Sequence, residues 1–272
     1  MSDTPFAVQT HNLSRSFGGR PALSDLTLEV PEGSFFGYLG PNGAGKSTTI
    51  NILTGLLAPD GGSARVLGFD VESQSLEIKR RIGVVPDGLH LFERLSGEEH
   101  LRFVGEVYGL SPAEARRRAG QLLQAMDLRD DARKLVSSYS HGMRKKLALS
   151  CALIHEPRLL FLDEPFEGVD AVATRELREL LQKLVATRRL TVFLTSHVLE
   201  VVERLCTHVA IITAGKLAVV GTLDELRHGV PAPGGGPGTA RSLEELFLDT
   251  VGATREDASA GLDWLTRTSE PG

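Results

Sequence analysis

One short loop constrains this chain more than any other feature. Gly40, Pro41, Asn42, Gly43, Ala44, Gly45, Lys46 and Ser47 fit the spacing G-x-x-x-x-G-K-[ST]. That motif needs a strand before it and a helix after it. Both are legible in the flanks. Residues 34–39 are an apolar, aromatic-rich run that stops at Gly40, and residues 46–57 read as a helix before Pro59, Gly61 and Gly62 break the pattern. Each part has a physical reason. Glycines let the backbone wrap so that successive N–H groups point inward at phosphate oxygens. The helix N-terminus adds its dipole. Lys46 supplies a point charge for β and γ phosphates, and Ser47 offers a hydroxyl to Mg²⁺.

A second feature completes the first. Leu159, Leu160, Phe161 and Leu162 read as a buried strand that ends in Asp163 and Glu164. Carboxylates at the C-terminal edge of an open α/β sheet stand where such sheets bind ligands. Asp163 would hold Mg²⁺ through water, and Glu164 could take a proton from the attacking water. An isolated Asp-Glu pair after a strand is often only a helix cap. Downstream of a phosphate loop the catalytic reading prevails.

The remaining pattern is α/β. Residues 7–17, 23–30 and 64–67 read as short strands, and further apolar runs cover 158–162, 190–195 and 209–213, with 216–220 as a hairpin return. Segments long enough for helices separate the later runs, which argues for a parallel sheet covered on both faces. Residues 91–153 differ and read as an all-helical insertion. Ser96 precedes Glu99 and Ser111 precedes Glu114 at capping-box spacing. Thr222–Glu225 and Ser242–Glu245 repeat that spacing, the latter opening a short helix that ends near Gly252. Residues 231–238 are dense in Pro and Gly and read as a linker.

Composition excludes other classes. Thirty basic against thirty-five acidic side chains give a net charge of −5, a poor balance for coating nucleic acid. Two cysteines, Cys151 and Cys206, fit a reducing cytoplasm and form no disulfide framework. No apolar run approaches the ~18–20 residues that span a bilayer, and residues 1–10 carry no secretion signal. The reading is a soluble chain held at a membrane, if at all, by another protein.

Further motifs follow in order. Tyr139, Ser140, His141, Gly142 and Met143 precede a run at 144–153 that reads as a helix; Gly168, Val169 and Asp170 follow the carboxylates; His197 follows the strand at 190–195. With these in place the chain resembles the nucleotide-binding subunit of ABC transporters, over about residues 6–250. The resemblance implies a P-loop NTPase (RecA-like) α/β core with an antiparallel β subdomain and an inserted all-helical subdomain. It implies an ATPase domain over residues 6–230, with the helical subdomain at about 91–153. A linker at 231–241, a short helix at 242–252 and a loose tail at 253–272 containing Trp264 complete the expected division. ATP and Mg²⁺ would be held by residues 40–47 with Thr48, and Phe17 would stack on adenine. Ser140, His141, Gly142 and Met143 stand where the family has its signature, which meets the ATP of a second subunit. Asp170 matches its D-loop and His197 its switch histidine. Glu164, His197 and Lys46 would be catalytic, and Ser47, Asp87 and Asp163 would face the metal.

Three positions depart from the family pattern. Asp87 stands where the family has a glutamine, so oxygen ligation of Mg²⁺ is kept but a negative charge is added. His141 replaces a signature glycine and Met143 the signature glutamine. Such variants, with the ending at 242–248, resemble the subgroup that exports drugs, ions and polysaccharides. In this family the region after the glutamine forms a groove for a helix of the membrane subunit. Leu89, Leu91, Phe92, Leu95, Leu101, Phe103, Val104 and Tyr108 crowd that region here, some as core and some as candidates for docking. The Arg116–Arg118 run and Arg144, Lys145 and Lys146 read as solvated helix faces.

The leading expectation is therefore a transport-coupled ATP hydrolase, dimerising head to tail as a homodimer or with a related subunit. It would sit on the cytoplasmic face of the membrane through a separate permease, for export, with no nucleic-acid partner. The alternatives are a soluble ATPase of the same family acting on nucleic acid or ribosomes, and a weakly hydrolysing regulatory subunit.

Overall fold

A computed structural model describes residues 5–186, 190–228 and 242–252. The expected linker at 231–241 and tail at 253–272, with Trp264, lie outside the described residues. Two sheets organise the rest. The smaller is antiparallel, in the order β2-β1-β4-β5, from β1 (Phe6–Phe17), β2 (Arg20–Pro31), β4 (Gly61–Val66) and β5 (Phe69–Asp70). Gly18 and Gly19 turn β1 into β2, both at positive φ, as a two-residue hairpin turn requires.

The larger sheet runs β10-β9-β3-β8-β7-β6. Its members are β3 (Phe35–Leu39), β6 (Ile82–Val85), β7 (Leu159–Asp163), β8 (Thr191–Ser196), β9 (His208–Thr213) and β10 (Lys216–Thr222). All neighbours pair in parallel except β9 and β10, which form the hairpin read from the sequence.

Strand alternation divides the interior into two cores. Phe36, Tyr38, Phe161, Phe193, Ala210 and Ile212 face the antiparallel sheet. Their neighbours Phe35, Leu39, Leu160, Leu162, Val192, Leu194, Val209 and Ile211 face the opposite side. That second side is covered by α5 (His141–Leu153), α6 (Ala171–Ala186), α7 (Leu199–Leu205) and α9 (Leu243–Gly252). Gly37 lies on the same side in β3, where a Cβ would stand 2.8 Å from Val202 and 2.9 Å from Cys206. Its missing side chain is what lets α7 approach.

The other helices are α1 (Lys46–Leu53), α2 (Ser75–Lys79), α3 (Gly97–Val107), α4 (Pro112–Ala125) and α8 (Leu223–His228). Helix α1 stops short of the expected Leu57. Thr54 turns its hydroxyl back onto the Ile50 carbonyl, and Gly55 takes positive φ, the usual helix stop. Residues 91–153 contain α3, α4, a 3-10 turn at Val136–Ser138 and α5. The Ser96–Glu99 box is reciprocal. At Ser111 only the hydroxyl caps, because Glu114 is held by Arg117 and Arg118 instead.

Two readings need correction. Helix α5 begins at His141 rather than Arg144, because Ser140 caps it by accepting the Met143 N–H. Lys145 and Lys146 are buried rather than solvated. Lys146 pairs with Glu176 of α6 at 2.8 Å, and Lys145 enters the site described next.

Candidate active site

The phosphate loop bridges the C-terminal end of β3 and the start of α1. Gly43 and Gly45 take positive φ, and a Cβ on Gly45 would stand 2.6 Å from the Ala22 carbonyl. The loop can close this tightly only with glycine there. Lys46 is buried, and its Nζ donates to the Gly40 carbonyl at 2.8 Å. A cleft of about 500 Å³ opens over the loop. Its walls include residues from Pro41 to Thr48, with Asp87, Asp163, Glu164, Glu167 and His197. Sequence-predicted residues from four separate stretches of chain thus meet around one space.

Glu164 sits at the centre of the polar contacts. Its Oε2 lies 3.1 Å from His197 Nδ1, and its Oε1 lies 3.6 Å from Lys46 Nζ. Oε1 is buried and has no hydrogen-bond donor. Such an atom carries a desolvation cost that a ligand or water relieves. The Glu164 backbone has φ +48, a left-handed conformation unusual for a side chain this large.

Thr195, which the sequence reading missed, holds both carboxylate residues. Its Oγ1 donates to Asp163 Oδ1 at 2.6 Å and accepts the Glu164 N–H at 3.1 Å. Parallel pairing of β7 with β8 sets Asp163 opposite Thr195. A threonine near the C-terminal end of the strand that pairs with the carboxylate strand was the available signal.

Lys145 was also missed. Its Nζ donates to the Glu164 carbonyl at 2.6 Å. Burial pushes this ammonium below its ordinary range, while Asp87, Glu167, Glu164 and Asp163 pull it back up. Neither cysteine offers a nucleophile: burial pushes the Cys151 thiol up to about 12, and Cys206 is pushed up as well.

Other predicted residues stand apart from this cleft. Phe17 is exposed at the end of β1, not in a core, with the Arg15 guanidinium 5.1 Å from its ring centroid. Ser140, His141, Gly142 and Met143 form the cap and first turn of α5, and none lines the cleft among the described residues. His141 Nε2 lies 3.3 Å from the Glu167 carbonyl. Asp170 accepts the Val172 N–H at the start of α6.

The donor set suits Mg²⁺. Ser47, Asp87 and Asp163 line one cleft and carry the hard oxygen atoms such a cation takes. Among the described residues no cluster of three or more His, Cys, Asp or Glu side chains forms a closed metal cage. Mg²⁺ commonly binds through one or two carboxylates plus substrate phosphates rather than in such a cage.

Comparisons with known proteins identify the family. A family described as ABC transporter matches residues 23–167. The linearmycin resistance ATP-binding protein of Bacillus subtilis is 36% identical over 219 residues, covering 80% of this chain and 70% of the relative. The daunorubicin/doxorubicin resistance ATP-binding protein of Streptomyces peucetius is 40% identical over 221 residues, covering 81% and 67%. A solved structure of an ATP binding subunit of an ABC transporter superposes with a TM-score of 0.80 at 33% identity, over 90% of this chain and 99% of that one. The chain belongs to the ABC transporter family, whose matched relatives are ATP-binding subunits.

Proposed function

We propose that this subunit hydrolyses ATP with Glu164 as general base and drives a separate membrane permease for export. The observation that carries the reading is the suspension of the Glu164 carboxylate between Lys46 and His197, with one oxygen left without a donor. A carboxylate so placed can accept a proton from a water lined up on the γ-phosphate. His197 keeps that carboxylate aimed across the cleft. Lys46 and the inward N–H groups of the loop hold the phosphates. Ser47, Asp163 and Asp87 would hold Mg²⁺, which neutralises the charge that grows on the phosphate oxygens. Phe17, exposed beside Arg15, would stack on adenine.

In this reading the active unit is a head-to-tail pair. Ser140, His141, Gly142 and Met143 lie outside their own cleft, so they are available to a nucleotide held by the other subunit. The N–H groups opening α5 suit a γ-phosphate, and Asp170 lies beside them. Closure on ATP and opening after hydrolysis would work as a ligand-driven population shift.

Among the described residues no helix is long and apolar enough to cross a membrane; in this reading a separate permease carries the cargo. Phe92 and Phe103 are 55% and 48% exposed and meet edge to face at 5.6 Å. Val107 and Tyr108 extend this apolar surface. It lies where the family docks a permease helix. Relatives named for linearmycin and daunorubicin/doxorubicin resistance support export as the direction.

The test is Glu164→Gln. It should keep ATP binding and lower turnover by roughly 100-fold or more. Full turnover would remove Glu164 as the base. Mild-detergent capture from native membranes should return a stoichiometric polytopic protein, and recovery without one would refute the coupling to a permease.

A further inference from the structure

We propose that Lys145 is a positioning residue that ties the signature helix α5 to the catalytic carboxylate of its own site. The inference rests on the hydrolytic reading above. Lys145 is 3% exposed. Its side chain passes Val85, Leu149, Leu162 and Phe166, and its Nζ ends on the main-chain oxygen of Glu164 at 2.6 Å. Burying an ammonium costs a great deal unless it is paired and hydrogen-bonded. A helix that needed only an apolar anchor here would be served by methionine or leucine.

The Glu164 backbone explains what the cation does. A left-handed backbone at a glutamate persists only where the surroundings over-determine it. Both of its peptide groups are pinned by side chains. Thr195 Oγ1 takes the N–H, and Lys145 takes the carbonyl, which otherwise receives only the Glu167 N–H at 3.3 Å. Removing the lysine leaves that peptide able to relax, and the carboxylate swings with it.

The position of Lys145 on its helix gives the contact a second role. It follows Ser140, the cap of α5, by about 7.5 Å of helix rise. In the head-to-tail arrangement the Ser140 end meets nucleotide held by the other subunit. Displacing α5 there carries Nζ, and with it the Glu164 peptide. Lys145 therefore reports engagement of one ATP to the base that acts on the other.

The experiment compares steady-state hydrolysis by the full chain and its Lys145→Met, Lys145→Arg and Ser140→Ala variants, with Mg-ATP binding and thermal melting on each. Lys145→Met should lower kcat roughly tenfold or more and leave KM for ATP within about twofold. Lys145→Arg keeps a cationic donor and should recover kcat to within about threefold. In the Ser140→Ala background, Lys145→Met should cost less than about twofold further, because both changes break one linkage. Unchanged kcat in Lys145→Met, a rise in KM alone, or losses that multiply across the two positions would overturn the inference. Lys145→Gln, too short by one atom to reach the carbonyl, should show the same kcat-selective loss. It decides the question if Lys145→Met does not fold. A wild-type chain that neither binds nor hydrolyses ATP would instead overturn the hydrolytic reading itself.

Discussion

Replacing Thr195 with valine isolates the hydroxyl that orders both carboxylate residues. The two side chains have nearly the same shape, so no cavity opens. What is lost is a 2.6 Å hydrogen bond to the Asp163 carboxylate and the acceptor for the Glu164 N–H at 3.1 Å. The first is a bond to a charged group, worth about 1.5–3 kcal/mol, and leaving a buried N–H unsatisfied costs about 1–3 kcal/mol. Removing a buried hydroxyl returns about 1–2 kcal/mol of desolvation. Taken at the middle of each range, the net loss is about 3 kcal/mol. At about 2–4 °C per kcal/mol for a domain of this size, the melting temperature should fall by about 5–15 °C. Scanning calorimetry without nucleotide reads this directly. Thr195→Ser keeps the hydroxyl and loses one methyl, about 1 kcal/mol, so it should fall by only a few degrees. Hydrolysis should follow the same order, with the serine variant active and the valine variant impaired. A valine variant that melts within about 2 °C of wild type, or serine and valine variants that melt together, would refute the role given to the hydroxyl.

Asp87→Gln should bind ATP with a weaker dependence on Mg²⁺ than wild type, since the carboxylate repels the γ-phosphate when no metal intervenes; identical Mg²⁺ titrations would place Asp87 away from the metal. Burial pushes the His100 imidazole below its usual 6.5, against the pull of its hydrogen bond to the Phe92 carbonyl, and its Nδ1 has no partner. The folded chain thus keeps His100 neutral while the unfolded chain takes up a proton, so its contribution to stability is full above pH 6.5 and is lost as pH falls from there toward the depressed folded value. His100→Phe should flatten the decline in melting temperature across that window, and an unchanged slope would remove His100 as its source. Phe103→Asp should abolish capture of the permease while ATP binding stays at the wild-type level; retained capture would move the docking surface elsewhere.

The phosphate loop and the carboxylate strand were legible because their chemistry is written in consecutive residues. The caps at Ser96 and Ser111 were legible for the same reason. Helix α5 began earlier than read because its cap has methionine, not Glu or Gln, three residues on, so the reciprocal signal was missing. Thr195 acts across a pair of parallel strands whose register no local pattern states. Lys145 hid inside a basic run. Of Arg144, Lys145 and Lys146 the helix turns two inward, and only the placement of α5 against β6 and α6 decides which. The left-handed backbone of Glu164 had no sequence signal, because glycine, which would have announced it, is absent there.

The division of the interior into two cores has a mechanical consequence. The antiparallel sheet and the helical insertion never share a layer of side chains; the central parallel sheet stands between them as a partition. Tilting α3, α4 and α5 therefore reworks the packing on one side of that wall only. The aromatic cluster of Phe36, Phe161 and Phe193 lies on the other side. The half of the molecule that grips nucleotide can stay rigid while the half that faces a partner leans. On the leaning side, Lys145 of α5 is the residue whose tip touches the backbone of the glutamate at the end of β7.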